Sequence, residues 1–193
     1  MALFAKYGLK AVTMDDIASQ LSVSKKTLYQ HFENKSDLVK NAVDSHFQEV
    51  QHLLEASHKE PLNAIEVLYL VDKKITAIIE KHDPALNFQL EKYYPEVHRA
   101  LNARREKAVT SHALSNIEKG RKEGLYRTDF DKAFIARMYY SHIEFLISRE
   151  EMCGNSSHLE SYLQQILEYH IRGIATAQGI AQIEKIKSNH SYI

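Results

Sequence analysis

Residues Thr13–Lys35 read T-M-D-D-I-A-S-Q-L-S-V-S-K-K-T-L-Y-Q-H-F-E-N-K. The stretch divides into two short helices joined by a tight turn. Ile17, Ala18 and Leu21 give Asp15–Leu21 one apolar face, and Leu28 and Phe32 do the same for Lys25–Phe32. Each segment carries its own start signal. Thr13 followed three residues later by Asp16 makes a capping box. Ser24 stands where its hydroxyl can accept from the otherwise unpaired amides of the second helix. Helices this short are marginal alone, so Ile17, Ala18, Val23 and Leu28 must lock against one another and against a neighbour. Two helices at a steep angle with a small turn form a helix-turn-helix.

The second helix carries the chemistry. Its outward side offers Lys25, Lys26, Thr27, Tyr29, Gln30 and His31, and no acid follows until Glu33. Base edges in the major groove present donors and acceptors between two rows of phosphates, which such a face suits. The alternative is an ordinary solvated face, but those mix acids with their lysines.

The run I-A-x-x-L-x-V-S-K-K-T-L-Y-x-H-F-x-N-K-x-x-L, from Ile17 to Leu38, resembles the TetR-type (TetR/AcrR) transcriptional regulators. The preceding A-L-F-A-K-Y-G-L-K-A-V-T-M is similar to that family's first helix, its glycine stop and its entry into the second helix. The resemblance covers Ala2 to about Val43. It implies a homodimer that sets two recognition helices in successive major grooves of a palindrome-like operator in double-stranded DNA, about 34 Å apart. It further implies that Thr13, Tyr29, His31 and Lys35 hold phosphates, that Lys25, Lys26, Thr27 and Gln30 lie nearest the bases, and that Ser24 belongs to the same DNA-binding set. Ser22 stands where the family often has glycine, so it is expected at a positive φ, at a cost of roughly 1 kcal/mol.

Composition sets the frame. The chain has 193 residues, enough for one or two small domains, with only 6 glycines and 3 prolines. So few breakers favour long helices and an all-α fold. Formal net charge is zero, so any nucleic-acid function must rest on local charge: three lysines against one glutamate from Ser22 to Lys35. Cys153 is the single cysteine, which excludes an internal disulfide and fits a reducing cytosol. No signal-peptide pattern and no apolar run of bilayer length is read, so a soluble, cytoplasmic protein without membrane association is expected.

The reading along the chain is all-α: an N-terminal three-helix helix-turn-helix domain followed by a C-terminal helical effector and dimerisation domain. The expected boundaries are 1–46 for DNA binding, 47–180 for ligand binding and dimerisation, and 181–193 for a C-terminal tail. Gly8 ends the first helix. Asn34 with Asp37 starts a long helix to about His58, the natural link between the domains. Pro61 is read as a first helical position, with a helix to about Lys81. Asp83-Pro84 is read as the next start, with a short helix ending at Tyr94-Pro95. A long helix then runs from Glu96 to about Lys119, stopped by Gly120 and Gly124. The last two helices, about 131–152 and 157–179, carry wide apolar stripes that need cover from two sides. A second subunit, in the manner of TetR-type homodimers, or one larger intrachain core would supply it.

The second domain is expected to enclose a small-molecule effector pocket. Tyr69, Gln89, Tyr93, His112 and Tyr140 are its candidate polar groups, each with the competing reading of a residue packed in the core. No cofactor motif is read. None of the 11 histidines has metal-ligand spacing with a carboxylate partner, although a Cys153–His158 pair stays open. Neither a glycine-rich phosphate loop nor a G-x-S-x-G motif suggests an enzyme. The expected function is a sequence-specific DNA-binding repressor released by a small-molecule ligand. The alternative is a helical dimer that mainly binds a small molecule or partner protein, with little DNA affinity.

Overall fold

The computed structural model describes residues 2–79, 85–148 and 156–188. Its regular elements are helices: α1 (Ala2–Tyr7), α2 (Met14–Gln20), α3 (Lys25–His31), α4 (Lys35–Ser57), α5 (Ala64–Ile79), α6 (Ala85–Tyr93), α7 (Pro95–Lys122), α8 (Lys132–Ser148), α9 (Ser156–Ile174) and α10 (Ala177–Ser188). The expected all-α class is the observed one. The expected Asp83-Pro84 start, the Gly154–Ser156 turn and Cys153 lie outside the described residues or have no described side-chain environment.

The chain forms two compact units. The first comprises residues 1–49 and 82–103, and the second comprises 50–81 and 104–193. Helices α4 and α7 contribute residues to both. The first unit thus contains α6 and the start of α7 as well as the helix-turn-helix, a grouping of distant segments that no local pattern announces. Phe4, Leu9, Val12, Ile17, Ala18, Leu28, Val39, Phe47, Leu86, Leu90 and Leu101 are among its buried apolar residues. The Gln89 side chain reaches back across 80 residues of sequence and accepts the Leu9 N–H at 2.6 Å. It lies against Gly8, whose φ of +82° ends α1 as expected.

In the second unit Ala64, Ile65, Leu68, Ile117, Leu125, Tyr126, Leu167, Ile171, Ile174, Ile183 and Ile186 form one contiguous core. A short connection pins it. Tyr126 and Ala175 form an isolated antiparallel bridge, with the Arg127 N–H donating to the Ile174 carbonyl at 2.8 Å and the Thr176 N–H to the Leu125 carbonyl at 2.9 Å. The buried Tyr126 hydroxyl donates to Asn116 Oδ1 at 3.1 Å, and the Asn116 amide donates to the Ala64 carbonyl at 2.7 Å.

Three expectations change. Residues 181–188 are not tail but the greater part of α10, because Ile180, Ile183 and Ile186 repeat at helical spacing and the last two are buried. Pro61 does not open α5. Asn63 does, its Oδ1 accepting from Glu66 N at 3.0 Å while Glu66 Oε2 accepts from Asn63 N at 2.9 Å, a full capping box. Gly120 does not stop α7, which runs on to Lys122. Gly124, at φ +72°, follows the helix end.

Gly120 is instead required by close approach, since a Cβ there would lie 2.1 Å from the Tyr126 ring. Gly120→Ala is expected to destabilise the protein by about 1–3 kcal/mol through overpacking. Gly173→Ala, where a Cβ meets nothing within 4 Å, should instead gain about 0.5–1 kcal/mol. Urea denaturation of the two variants beside the parent checks the opposite signs.

Candidate nucleic-acid interface

The local chemistry of residues 13–35 builds the site. The Thr13 Oγ1 accepts the Asp16 N–H at 3.2 Å, and Asp16 Oδ2 accepts the Thr13 N–H at 2.8 Å. The Thr13 hydroxyl, which donates to Asp16 Oδ2 at 2.7 Å, and then the Thr13 N–H hold the Asp16 carboxyl below the usual carboxylate range. Helix α2 is seven residues long, as is α3. Between them Ser22 has φ +54°, the left-handed value expected of it. The turn closes when the Val23 N–H donates to the Ala18 carbonyl at 3.0 Å. Ser24 then caps α3, its Oγ accepting the Thr27 N–H at 3.0 Å and lying 2.8 Å from Thr27 Oγ1. Leu28 is buried and directs the opposite face outward.

That outward face holds Lys25, Lys26, Tyr29, Gln30 and His31, all exposed, with Thr27 half-buried. Tyr29 is 46% exposed. The two lysines differ. Lys25 pairs with Asp15 of α2 at 2.9 Å, a surface pair that ties α3 to α2 for little energy. Among the described residues no partner reaches Lys26. Lys35, at the start of α4, donates to the Lys10 carbonyl at 3.1 Å, and partial burial holds its ammonium below the usual lysine value. Asn34 accepts the Asp37 N–H at 2.9 Å, but Asp37 turns its carboxylate to the Glu33 N–H at 3.2 Å, so the expected second box is only half formed. Of the nine sequence-predicted residues, Thr13 and Ser24 are spent on caps, and Lys25 and Lys35 already have partners within the chain. The Asp15–Lys25 pair was not anticipated; ten residues apart, it has no periodic signal.

The five candidate effector residues are divided between the two units. Gln89 and Tyr93 belong to the first unit. Gln89 supports Leu9, and Tyr93 lies under the ammonium groups of Lys10 and Lys92 at 5.5 and 5.6 Å. Tyr69, His112 and Tyr140 belong to the second. Tyr140 donates to Glu144 at 3.0 Å. His112 is a core histidine: its Nε2 lies 3.1 Å from Ser57 Oγ, and that hydroxyl already donates to the Leu54 carbonyl at 2.7 Å, so the imidazole is the donor. The Tyr69 hydroxyl is buried without a partner. Among the described residues no cluster of three metal-ligating side chains occurs, and no helix is long and apolar enough to cross a membrane.

Fold and site together define a helix-turn-helix protein with a larger all-helical second unit. The family model for bacterial regulatory proteins of the tetR family matches residues 1–42. The HTH-type negative transcriptional regulator of the icaADBC biofilm operon, IcaR of Staphylococcus aureus, is 28% identical over 69 residues. That match covers 36% of this chain and 37% of IcaR, so the chain matches little more than a third of that relative's length. Among solved structures, a TetR/AcrR-family regulator from Thermobifida fusca is 20% identical with a TM-score of 0.69, covering 89% of this chain and 92% of its own. FadR of Bacillus subtilis, solved in complex with stearoyl-CoA, is 22% identical with a TM-score of 0.68, covering 89% and 93%. Residues 1–42 are a tetR-family helix-turn-helix region, and the described chain as a whole has the TetR-type fold.

Burial and the nearby His58 ring push the His112 imidazole down to about 4 from its ordinary 6.5. Below pH 6.5 the unfolded chain therefore takes up a proton that the folded chain refuses. Stability is lost as pH falls from about 6.5 to about 4, by up to about 3 kcal/mol for this residue, and the contribution is flat above that window. His112→Gln keeps a donor for Ser57 and removes the titration. Its urea midpoint is expected to fall less steeply than the parent's across pH 6.5 to 4, and parallel curves would show that His112 is not held neutral.

Proposed function

We propose that the protein is a dimeric, sequence-specific DNA-binding regulator, a repressor released from its operator by a small molecule bound in its second unit. One observation carries the reading. Helix α3 is fixed by its serine cap and by Leu28 so that an acid-free face of Lys26, Tyr29, Gln30 and His31 projects from the surface. In this reading Tyr29, His31, Lys35 and Thr13 contact phosphates and set register. Lys26, Thr27 and Gln30 read base edges, where a well-placed pair contributes about 1–3 kcal/mol of discrimination. Lys25 either exchanges Asp15 for a base or stays as a brace.

Dimerisation is supported by the outward faces of α8 and α9. Phe134 is 61% exposed, Phe145 49% and Tyr169 71%. The exposed rings of Phe134 and Tyr169, on two adjoining helices, fit an interface with a second copy. The expected alternative, one larger intrachain core, leaves these rings unaccounted for. Two copies would then offer two α3 helices to successive major grooves. Ligand control is supported by the neighbouring fold that binds stearoyl-CoA in FadR. The negative regulator IcaR supports repression as the direction of control.

Quantitative mobility shifts on the region upstream of the protein's own gene test the contact scheme. Tyr29→Ala is expected to weaken all duplexes alike by about tenfold, and Lys26→Ala to change the preference among operator variants. Operator binding unchanged in both variants would refute it.

A further inference from the structure

Tyr69, Asp72 and Thr76 follow one another along α5 at spacings of three and four, so they share one face of that helix. Helix α5 packs against α9, and α9 packs in turn against α8. This layer is mostly apolar, yet its polar groups are unmet. The Tyr69 hydroxyl and Thr76 Oγ1 are buried with no hydrogen-bond partner, and Thr76 is only 4% exposed. Native proteins rarely leave such groups unpaired unless something else pairs them. The Asp72 carboxyl is held by no hydrogen bond or ion pair among the described residues. The charged side chain acting on it is Glu160 of α9, another acid. Burial, aided by that like charge, pushes Asp72 up to about 6.

An aromatic wall stands beside it. The rings of Tyr139 on α8 and His170 on α9 stack at 4.3 Å with 29° between their planes. The His170 imidazole is pushed down to about 4, by burial first and then by His142, so it is neutral near pH 7. The Asp72 carboxyl is close enough to raise the Tyr139 hydroxyl further than burial alone does. The surroundings thus combine an acid without a cation, two hydroxyls without partners and a stacked pair of neutral rings.

We infer that α5, α8 and α9 form the recognition site for an organic cation, with Asp72 as counter-ion for a protonated amine, Tyr69 and Thr76 as hydrogen-bonding partners, and the Tyr139–His170 pair against the ligand's apolar body. This rests on the reading of the second unit as the effector-binding part. An anionic ligand would meet Asp72 and Glu160 and be repelled. A neutral apolar ligand would bury Asp72 further with nothing in return. A cation with an apolar body meets the carboxylate and gains from the ring faces.

Calorimetric titration of the full chain at pH 7.5 with 4-phenylbutylamine, 4-phenylbutan-1-ol and 4-phenylbutanoate tests this. The amine is expected to bind at least tenfold more tightly than either of the others. Asp72→Asn should erase that preference, and Thr76→Val should weaken the amine several-fold. If Asp72→Asn does not fold by circular dichroism, Thr76→Val decides, and amine binding unchanged in it overturns the assignment. So does an amine that fails to bind, an alcohol or carboxylate that binds as tightly, or a preference that survives Asp72→Asn. Mobility shifts with the same compounds separate the two layers. Amine bound through Asp72 without release of DNA upholds the site and counts against ligand-released repression. DNA released by another class of compound, with no amine binding, does the reverse.

Discussion

Two seven-residue helices cannot hold themselves in water, and the DNA-binding role proposed for this molecule rests on how α2 and α3 are held. The Thr13–Asp16 box and the Ser24 cap satisfy amides that would otherwise be orphaned, each for about 1 kcal/mol. Ile17, Ala18 and Leu28 bury the faces that remain. Ser22 accepts a left-handed φ to make the turn. Once these constraints are met, the direction of the α3 surface is no longer free: with Leu28 inward, Lys26, Tyr29 and Gln30 are outward. The Asp15–Lys25 pair adds a brace across the turn and takes one of the two α3 cations out of immediate play. The outward face of α3 is therefore less basic than its sequence suggests, and in the proposed role its specificity would lean on polar and aromatic groups.

The second unit is built on a different principle. Its main core is closed by the contact of the Tyr126 ring with Gly120, the bridge between Tyr126 and Ala175, and the relay from Tyr126 through Asn116 to the Ala64 carbonyl. That relay gives the buried Tyr126 hydroxyl and the Asn116 amide their partners. Along α5 the opposite holds, with two hydroxyls and a carboxyl left unmet. Exposed rings on α8 and α9 mark a third region, suited to a second copy of the chain.

What was legible in the sequence was what depends on near neighbours. The caps at Thr13 and Ser24, the glycine stop at Gly8 and the strained turn at Ser22 are short-range signals, and the structure shows each of them. The signals that misled were short-range too, but outvoted. Gly120 has the look of a helix stop, yet its lack of a side chain serves the Tyr126 ring. Pro61 stands two residues ahead of a better cap, Asn63. The last helix was overlooked because Gly179 suggested an end. That glycine is instead buried, where a Cβ would meet the Leu125 carbonyl at 2.3 Å. Long-range pairings had no signature at all. Gln89 supporting Leu9, the grouping of residues 82–103 with the N-terminal segment, and the meeting of α5 with Tyr139 and His170 arise only once the helices are assembled. Of that last cluster only Tyr69 is among the expected effector groups, because nothing short-range sets Asp72 and Thr76 apart from other polar residues on a helix.

The central claim is that a modest, partly paired set of cations on a dimer engages the phosphates of duplex DNA. The slope of log binding constant against log salt concentration tests it most directly, measured for the parent chain on a duplex from upstream of its own gene. Each phosphate neutralised contributes about −0.9 to that slope. The account predicts a slope of roughly −4 or steeper, as two copies each contribute Lys26 and Lys35 or their equivalents. A slope near zero, or no binding at low salt, would contradict it.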